Sequence, residues 1–364
     1  MKKILIYAPN ALTSGVTNIV YNLHKNMDKS KVCLSVASWP DNTKMSELSK
    51  QFNGTFYPFK TYYLRHPFRY KQELIKILDS EQFDVVVFHL SYLLTLFPII
   101  TAQKKHFSKI IVYSHSSQIE ATSLIKRKIL FLFHHINKHK LMKFAVERIA
   151  CSQNAADWLF GKHSPTTIIN NAIDVKHYCY QDTLYFKKKY NVLHKSVIGN
   201  VGRLTYPKNQ LYLIEICKIY FQMNPNAILW IIGDGPEKEA LEKAIKKYNL
   251  TEKIFLWGNQ QNIPDLLQCM DIFVMPSHFE GAPVALIEAQ ANGLPCIVSD
   301  TISNECIINS NVSFMSISCP PNEWANEIAA KITSKRELAA RDNLISKGWD
   351  LHNVSQQLQN IYIF

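Results

Sequence analysis

Two successive α/β domains, each a doubly wound parallel sheet, are what this 364-residue sequence predicts. Three observations carry the prediction. Short apolar runs recur between helical patterns, and these runs lack the polar alternation of a half-exposed sheet. The rhythm lapses around 175–195 and then starts again. Strands apolar on both sides must be covered on both sides, which is the condition of a parallel sheet between layers of helices. Ligands of such sheets gather beyond the carboxyl ends of the strands, so the two domains are expected to face each other across a cleft lined by those ends.

The first strand is "KKILIYAP", followed by a loop holding Thr13, Ser14 and Gly15 and by the helical pattern "VTNIVYNLHKNM". Further strands read as "KVCLSVAS" (31–38), "FDVVVFHL" (83–90) and "KIIVYSHS" (109–116), with "RIACS" (148–152) and "TTIINNAID" (166–174) closing the series. The segment "KHYCYQDTLYFKKKYNVLHK" breaks the pattern, and "KSVIGNVGRL" (195–204) resumes it. Then come helix 210–223, strand 227–236, helix 237–250, strand 253–258, helix 263–270 and strand 271–277. Pro283 suits a first helical residue and Gly293 a helix stop, so a helix is expected over 283–292, before the strand "PCIVSD". The tail 347–364 reads as a terminal helix anchored by Trp349, Tyr362 and Phe364. The expected domains are 1–178 with that helix, and 179–346.

Composition narrows the class. At 47% hydrophobic and 19% charged the chain is a globular one, not a disordered one. Residues 1–180 carry 24 Lys+Arg against 11 Asp+Glu, and the remainder 17 against 18, so the first half holds the whole net excess of +12. That asymmetry suits an acidic partner: anionic lipid, nucleic acid or a phosphorylated substrate. Eight cysteines without a C-x-x-C pair read as reduced core residues of a cytoplasmic protein, and no zinc site is expected. The opening apolar run is too short for a signal peptide, and no segment reaches the roughly 20 residues of a membrane span.

Suggestive residues fall in loops after strands. In "NVGRLTYPKN", Arg203 and Lys208 leave a strand end just before a helix, where a fork and a point charge suit a pyrophosphate or, equally, a solvated loop. "IIGDGP" brackets Asp234 with Gly233 and Gly235, a turn or a binding loop. "HFEGAPVALIEAQANGLP" sets Glu280 at a helix mouth and Glu288 inside the helix. Carboxylates accept paired hydrogen bonds from vicinal hydroxyls, so ribose or sugar diols fit, although either acid could merely face a helix dipole or solvent. His115 ends a strand, a place a structural histidine also occupies. Asn170, Asn171 and Asp174 in "INNAID" suit a turn. Residues 125–143 mix six Lys/Arg and three His with Ile, Leu and Phe, the pattern of a basic amphipathic element for an anionic membrane, or of a core helix with a solvated face.

Together, "SG" (14–15), "SHSS" (114–117), "ACSQNAADWLFG" (150–161), "INNAID" (169–174), "GNVGRLTYPKNQ" (199–210), "IIGDGP" (231–236) and "FEGAPVALIEAQANGLPCIVSD" (279–300) resemble the GT-B glycosyltransferases of family 4, of the bacterial exopolysaccharide or capsule type. The last stretch is the most specific, because Glu280 and Glu288 match the family's E-x7-E signature. The loop "TSGVTN" departs from the family's usual pair of glycines followed by Glu-Arg.

The resemblance implies a GT-B fold with the acceptor in the first domain and a nucleotide-sugar, expected to be a UDP-sugar, in the second. Arg203 and Lys208 would bind the donor diphosphate and neutralise the leaving group. Glu288 would hold the ribose, and Glu280 the donor sugar beside the Gly281 and Ala282 amides and Pro283. Gly202, Gly233 and Asn259 would line the donor, Asn259 near the base. His115 would orient the transferred sugar, and Gly15 would approach phosphate or acceptor. The implied reaction retains anomeric configuration and needs no metal or cofactor. The implied acceptor is a polyprenyl-diphosphate-linked saccharide, met at the inner face of the plasma membrane through 124–143, with no nucleic acid involved. Two other readings are a non-hydrolysing UDP-sugar epimerase, which needs acids that are sparse at the first domain's strand ends, and an inactive membrane-bound partner of a transferase. A nicotinamide dehydrogenase lacks its G-x-G-x-x-G turn.

Overall fold

A computed structural model describes the whole chain apart from residues 11, 13, 14, 120–123 and 281. The chain divides into two compact units, Met1–Ala172 with Leu351–Phe364, and Ile173–Asp350.

The first unit runs β1 (Lys2–Tyr7), α1 (Gly15–Lys25), β2 (Val32–Ser38), α2 (Thr43–Gln51), β3 (Phe56–Pro58), α3 (Pro67–Leu78), β4 (Val85–Leu90), α4 (Phe97–Gln103), β5 (Lys109–Ser114), α5 (Leu124–Leu141), β6 (Glu147–Ala150), α6 (Gln153–Leu159) and β7 (Thr167–Ile168). Among the described residues its seven strands lie in the order β3-β2-β1-β4-β5-β6-β7, all parallel. β1 is central, and Ile4, Leu5 and Ile6 are fully buried, as a run without polar alternation requires. The direction of winding reverses between β1 and β4, leaving a crevice beyond their carboxyl ends.

The second unit contains α7 (Val175–Tyr178), α8 (Thr183–Lys189), β8 (Ser196–Val201), α9 (Gln210–Met223), β9 (Ala227–Ile232), α10 (Lys238–Lys247), β10 (Ile254–Leu256), α11 (Ile263–Cys269), β11 (Ile272–Met275), α12 (Val284–Ala291), β12 (Cys296–Ser299), β13 (Val312–Met315), α13 (Pro321–Lys331) and α14 (Ala340–Ser346). Its parallel order is β10-β9-β8-β11-β12-β13, with the reversal between β8 and β11. Trp324 and Leu213 seal its core from α13 and α9. Arg336 is a half-buried fastener: its guanidinium donates to the carbonyls of Leu267, Gln268, Met270 and Asn292, satisfying the carboxyl ends of α11 and α12.

The final helix, α15 (Leu351–Ile363), belongs to the first unit. The Tyr362 hydroxyl meets His24 Nε2 at 2.9 Å, Gln359 Oε1 accepts from the Asp28 amide at 2.6 Å, and Lys109 Nζ donates to the Ile361 carbonyl at 2.7 Å.

Three boundaries differ from expectation. Residues 173–178 and 347–350 fall in the second unit, because Ile173 bridges Asp350 and α7 packs on α12 and α14. The terminal helix starts at Leu351 rather than 347, since Gly348, at φ +75°, and buried Trp349 first close off α14. α12 starts at Val284: Pro283, at φ −75° and ψ 100°, is still extended and stands before the first turn. Gly293 does stop that helix, at φ +73°.

Candidate functional site

The second unit gathers most of the expected donor residues at its reversal point. The loop after β8 carries Gly202, Arg203 and Lys208, and the loop after β11 carries Glu280. Lys208 Nζ donates to Glu280 Oε1 at 2.6 Å, and Ser277 Oγ donates to the same oxygen at 2.8 Å. Both partners are largely shielded, the side chains retaining 21% and 10% exposure, so the pair is not one of the weak ion pairs of open surface. An ammonium has three donors, so Lys208 can keep Glu280 and still offer N–H groups to an anion.

The two loops are tied together by more than this pair. Asn209, in the left-handed region at φ +55°, donates through its side-chain Nδ2 to the Pro276 carbonyl at 3.0 Å. The His278 amide donates to the Pro207 carbonyl at 2.8 Å, and the rings of Tyr206 and His278 stack at 4.5 Å. Gly202 is where the Lys208 stem crosses: a Cβ there would lie 3.3 Å from the lysine Cε. Gly233, at φ +138°, has no room for a side chain at all, because its Cβ would fall 2.0 Å from the Gly202 carbonyl oxygen. Its amide donates to the Gly258 carbonyl at 2.9 Å, which sets exposed Asn259 at the neighbouring strand end. Arg203 is exposed, with its carbonyl held by Gln210 Nε2 at 3.2 Å.

Glu288 sits in α12, and Tyr178 donates its hydroxyl to it. Burial raises the Glu288 pKa to about 7, and the Tyr178 bond offsets part of that rise. The fold therefore holds a carboxylate poised to ionise when hydroxyl donors reach it. Ala282 and Pro283 are buried beside the α12 entrance, and Gly281 lies outside the described residues.

His115 and Gly15 lie in the first unit. Gly15 opens α1 with free space around its Cα. His115, just past β5, is buried and neutral: its pKa falls to about 3, chiefly through burial. Its Nε2 lies 2.7 Å from His89 Nδ1, its ring stacks on Tyr113 at 4.3 Å, and its Nδ1 has no partner among the described residues.

Reading loops in isolation missed Tyr178, Ser277 and the Tyr206–His278 stack. Tyr178 lies in the very segment whose broken rhythm marked a boundary, so its role left no periodic signal. Ser277 could be found only by noticing a hydroxyl three residues before Glu280.

The chain matches the family Glycosyl transferases group 1 over residues 182–348 and the Glycosyltransferase Family 4 over residues 13–177. It belongs to the GT-B glycosyltransferases of family 4. Among relatives, it is 26% identical to the UDP-Gal:alpha-D-GlcNAc-diphosphoundecaprenol alpha-1,3-galactosyltransferase of Escherichia coli, over 80% of this chain and 78% of that one. It is 27% identical to the capsular polysaccharide biosynthesis glycosyltransferase CapH of Staphylococcus aureus, over 81% of each chain. The fold matches that of Anabaena Alr3699/HepE in complex with UDP-glucose with a TM-score of 0.78 at 17% identity, covering 99% of both chains.

Proposed function

We propose that the chain is a retaining glycosyltransferase moving a hexose or N-acetylhexosamine from a UDP-sugar to a lipid-linked saccharide in exopolysaccharide or capsule synthesis. The observation that carries this reading is the shielded Lys208–Glu280 pair at the reversal point of the second sheet, with Glu288 further along the same helix entrance. Arg203 and Lys208 take the diphosphate, Glu288 the ribose and Glu280 the sugar hydroxyls, with Ala282 and Pro283 shaping the mouth. The relatives that act on a UDP-Gal donor with a diphosphoundecaprenol-linked acceptor, or in capsule synthesis, support this choice of donor and acceptor.

The bond from the anomeric carbon to the β-phosphate oxygen breaks, and the acceptor oxygen attaches on the same face. The acceptor proton passes to the departing phosphate. Arg203 and Lys208 stabilise that charge, the task a metal ion performs in other transferases. Neither glutamate acts as a general base.

The first unit takes the acceptor at an anionic membrane surface through α5. Leu130, His134 and Leu141 pin that helix inward, and Asn137 donates to the Leu93 and Leu94 carbonyls. Ile125, Ile129, Phe131, Leu132, Phe133 and Ile136 are exposed together with Lys126, Lys128 and Lys140. Apolar and basic groups on one outward surface suit a helix lying in a headgroup layer. Among the described residues no helix is long and apolar enough to cross a membrane.

The test is a calorimetric titration of UDP into wild type, Arg203→Ala and Glu288→Ala. Each lost charge-assisted contact weakens binding by roughly 10- to 100-fold, from about 1.5–3 kcal/mol. A wild-type protein that ignores UDP would overturn the donor assignment.

A further inference from the structure

The Glu288 carboxylate is held by an element to which no function has yet been given, the short helix α7. Glu288 and Asn292 lie about one turn apart along α12, so their side chains share a face, the one that meets α7. Tyr178 bridges them: its hydroxyl donates to Glu288, and its carbonyl accepts from Asn292 Nδ2 at 3.0 Å. Asn292 is fully buried and is gripped in turn by Arg336, whose guanidinium reaches both its carbonyl and its Oδ1. The other end of α7 is equally fixed. The Asp174 carboxylate caps it by accepting from the His177 amide, and the Ile173 amide donates to the Trp349 carbonyl at 3.2 Å. The phenol therefore stands on a backbone tied down at both ends, which is what accurate placement of a partner group requires.

The surroundings leave the ionisation of Glu288 largely to this one donor. α7, α14, β11 and β12 pack against α12. Besides Tyr178, α7 and its cap bring exposed Asp174, Lys176 and His177, and α14 brings exposed Arg341 and Asp342. β11 carries no ionisable group, and β12 only the buried thiol of Cys296. Glu280, at the helix entrance, is already paired with Lys208. Burial and the nearby Glu288 charge push the Tyr178 phenol far above its ordinary range, so it stays a donor wherever Glu288 changes state. A hydroxyl that donates to a carboxylate favours the charged form and takes one lone pair, leaving acceptor capacity for a diol.

We propose that Tyr178 is a positioning residue for ribose recognition, its phenol holding the Glu288 carboxylate in one orientation and in its ionised form at neutral pH. The proposal rests on the transferase reading given above, in which Glu288 takes the ribose. Tyr178 acts through Glu288 and touches no reacting atom. Without the phenol, burial alone sets the carboxyl, which then stays protonated at neutral pH and offers a diol one acceptor fewer.

Calorimetric titration of UDP at pH 7 and pH 9 tests this in wild type, Tyr178→Phe, Glu288→Gln and the double variant. Phenylalanine keeps the ring and the carbonyl that Asn292 holds, and removes only the hydroxyl. Tyr178→Phe should bind UDP at least about fivefold more weakly than wild type at pH 7, and within about twofold of it at pH 9. In the Glu288→Gln background the same substitution should have no effect that depends on pH. 2′-Deoxy-UDP, which offers Glu288 one hydroxyl fewer, should lose less at pH 7 than UDP does. A loss of equal size at both pH values would make Tyr178 a packing residue and overturn the proposal, as would an affinity unchanged at both. A wild type that binds UDP no better than Glu288→Gln at pH 9 would remove the ribose assignment and this proposal with it, while the diphosphate contacts stand. A wild type that binds no UDP would strike the whole donor reading.

Discussion

At the residue scale, buried titratable groups translate pH into behaviour. Glu288 must be ionised to accept both hydroxyls of a ribose, and burial holds its pKa up near 7. Raising the pH from 6 to 8 therefore increases its ionised fraction roughly tenfold. UDP affinity in wild type should rise by a similar factor beyond any rise seen in Glu288→Gln, and parallel curves for the two would refute this. His24 behaves in the opposite sense. Burial drops its pKa to about 4, from 6.5 in the unfolded chain. Above pH 6.5 it is neutral in both states and costs nothing. As the pH falls from 6.5 toward 4 the unfolded chain takes up a proton the folded one refuses, and stability on the order of 3 kcal/mol is lost. His89 and His115, also held neutral by burial, add to this. Acid unfolding followed by near-ultraviolet circular dichroism should begin between pH 6.5 and 4; a first unit indifferent to that window would contradict the account.

At the scale of elements, Arg336 and α5 make contrasting predictions. Arg336→Ala strips donors from four buried carbonyls and should cost about 3 kcal/mol or more, seen as a lower denaturation midpoint. Changing Lys126, Lys128 and Lys140 to Glu should leave stability intact, because the three lie on the exposed surface of α5. It should abolish sedimentation with vesicles containing anionic phospholipid, at about 1 kcal/mol per basic residue removed; unchanged sedimentation would sink the membrane reading. These elements also mark what a linear reading can reach. Buried strands announce themselves by unbroken apolar runs, and the spacing of Glu280 and Glu288 is local, so both were visible. The partners of those acids were not: Ser277 is an ordinary hydroxyl, and Tyr178 reaches Glu288 from 110 positions away. A cavity of the first unit lined by Tyr7, Trp39, Tyr62, Tyr70 and His89 escaped for the same reason, since these residues come from separate stretches that only a parallel sheet brings to one end.

At the scale of the whole molecule, the second unit is continuous in sequence and the first is not. Deleting residues 351–364 takes away the partners of His24, Asp28 and Lys109 and uncovers the side of α1 that α15 packs against. Calorimetry of the shortened chain should show one transition shifted to lower temperature and one unmoved, the second being that of Ile173–Asp350; a uniform shift would mean that the units do not melt separately. The same connectivity sets a schedule during synthesis. Translation delivers the whole of the later unit before the strip that completes the earlier one. The half encoded first is therefore finished last, and the emerging chain carries a sheet with one uncovered flank while its successor folds to completion. A chaperone that waits on this nascent chain has a defined surface to shelter, the bare side of α1, and a defined moment to leave it, when Tyr362 arrives to close over His24.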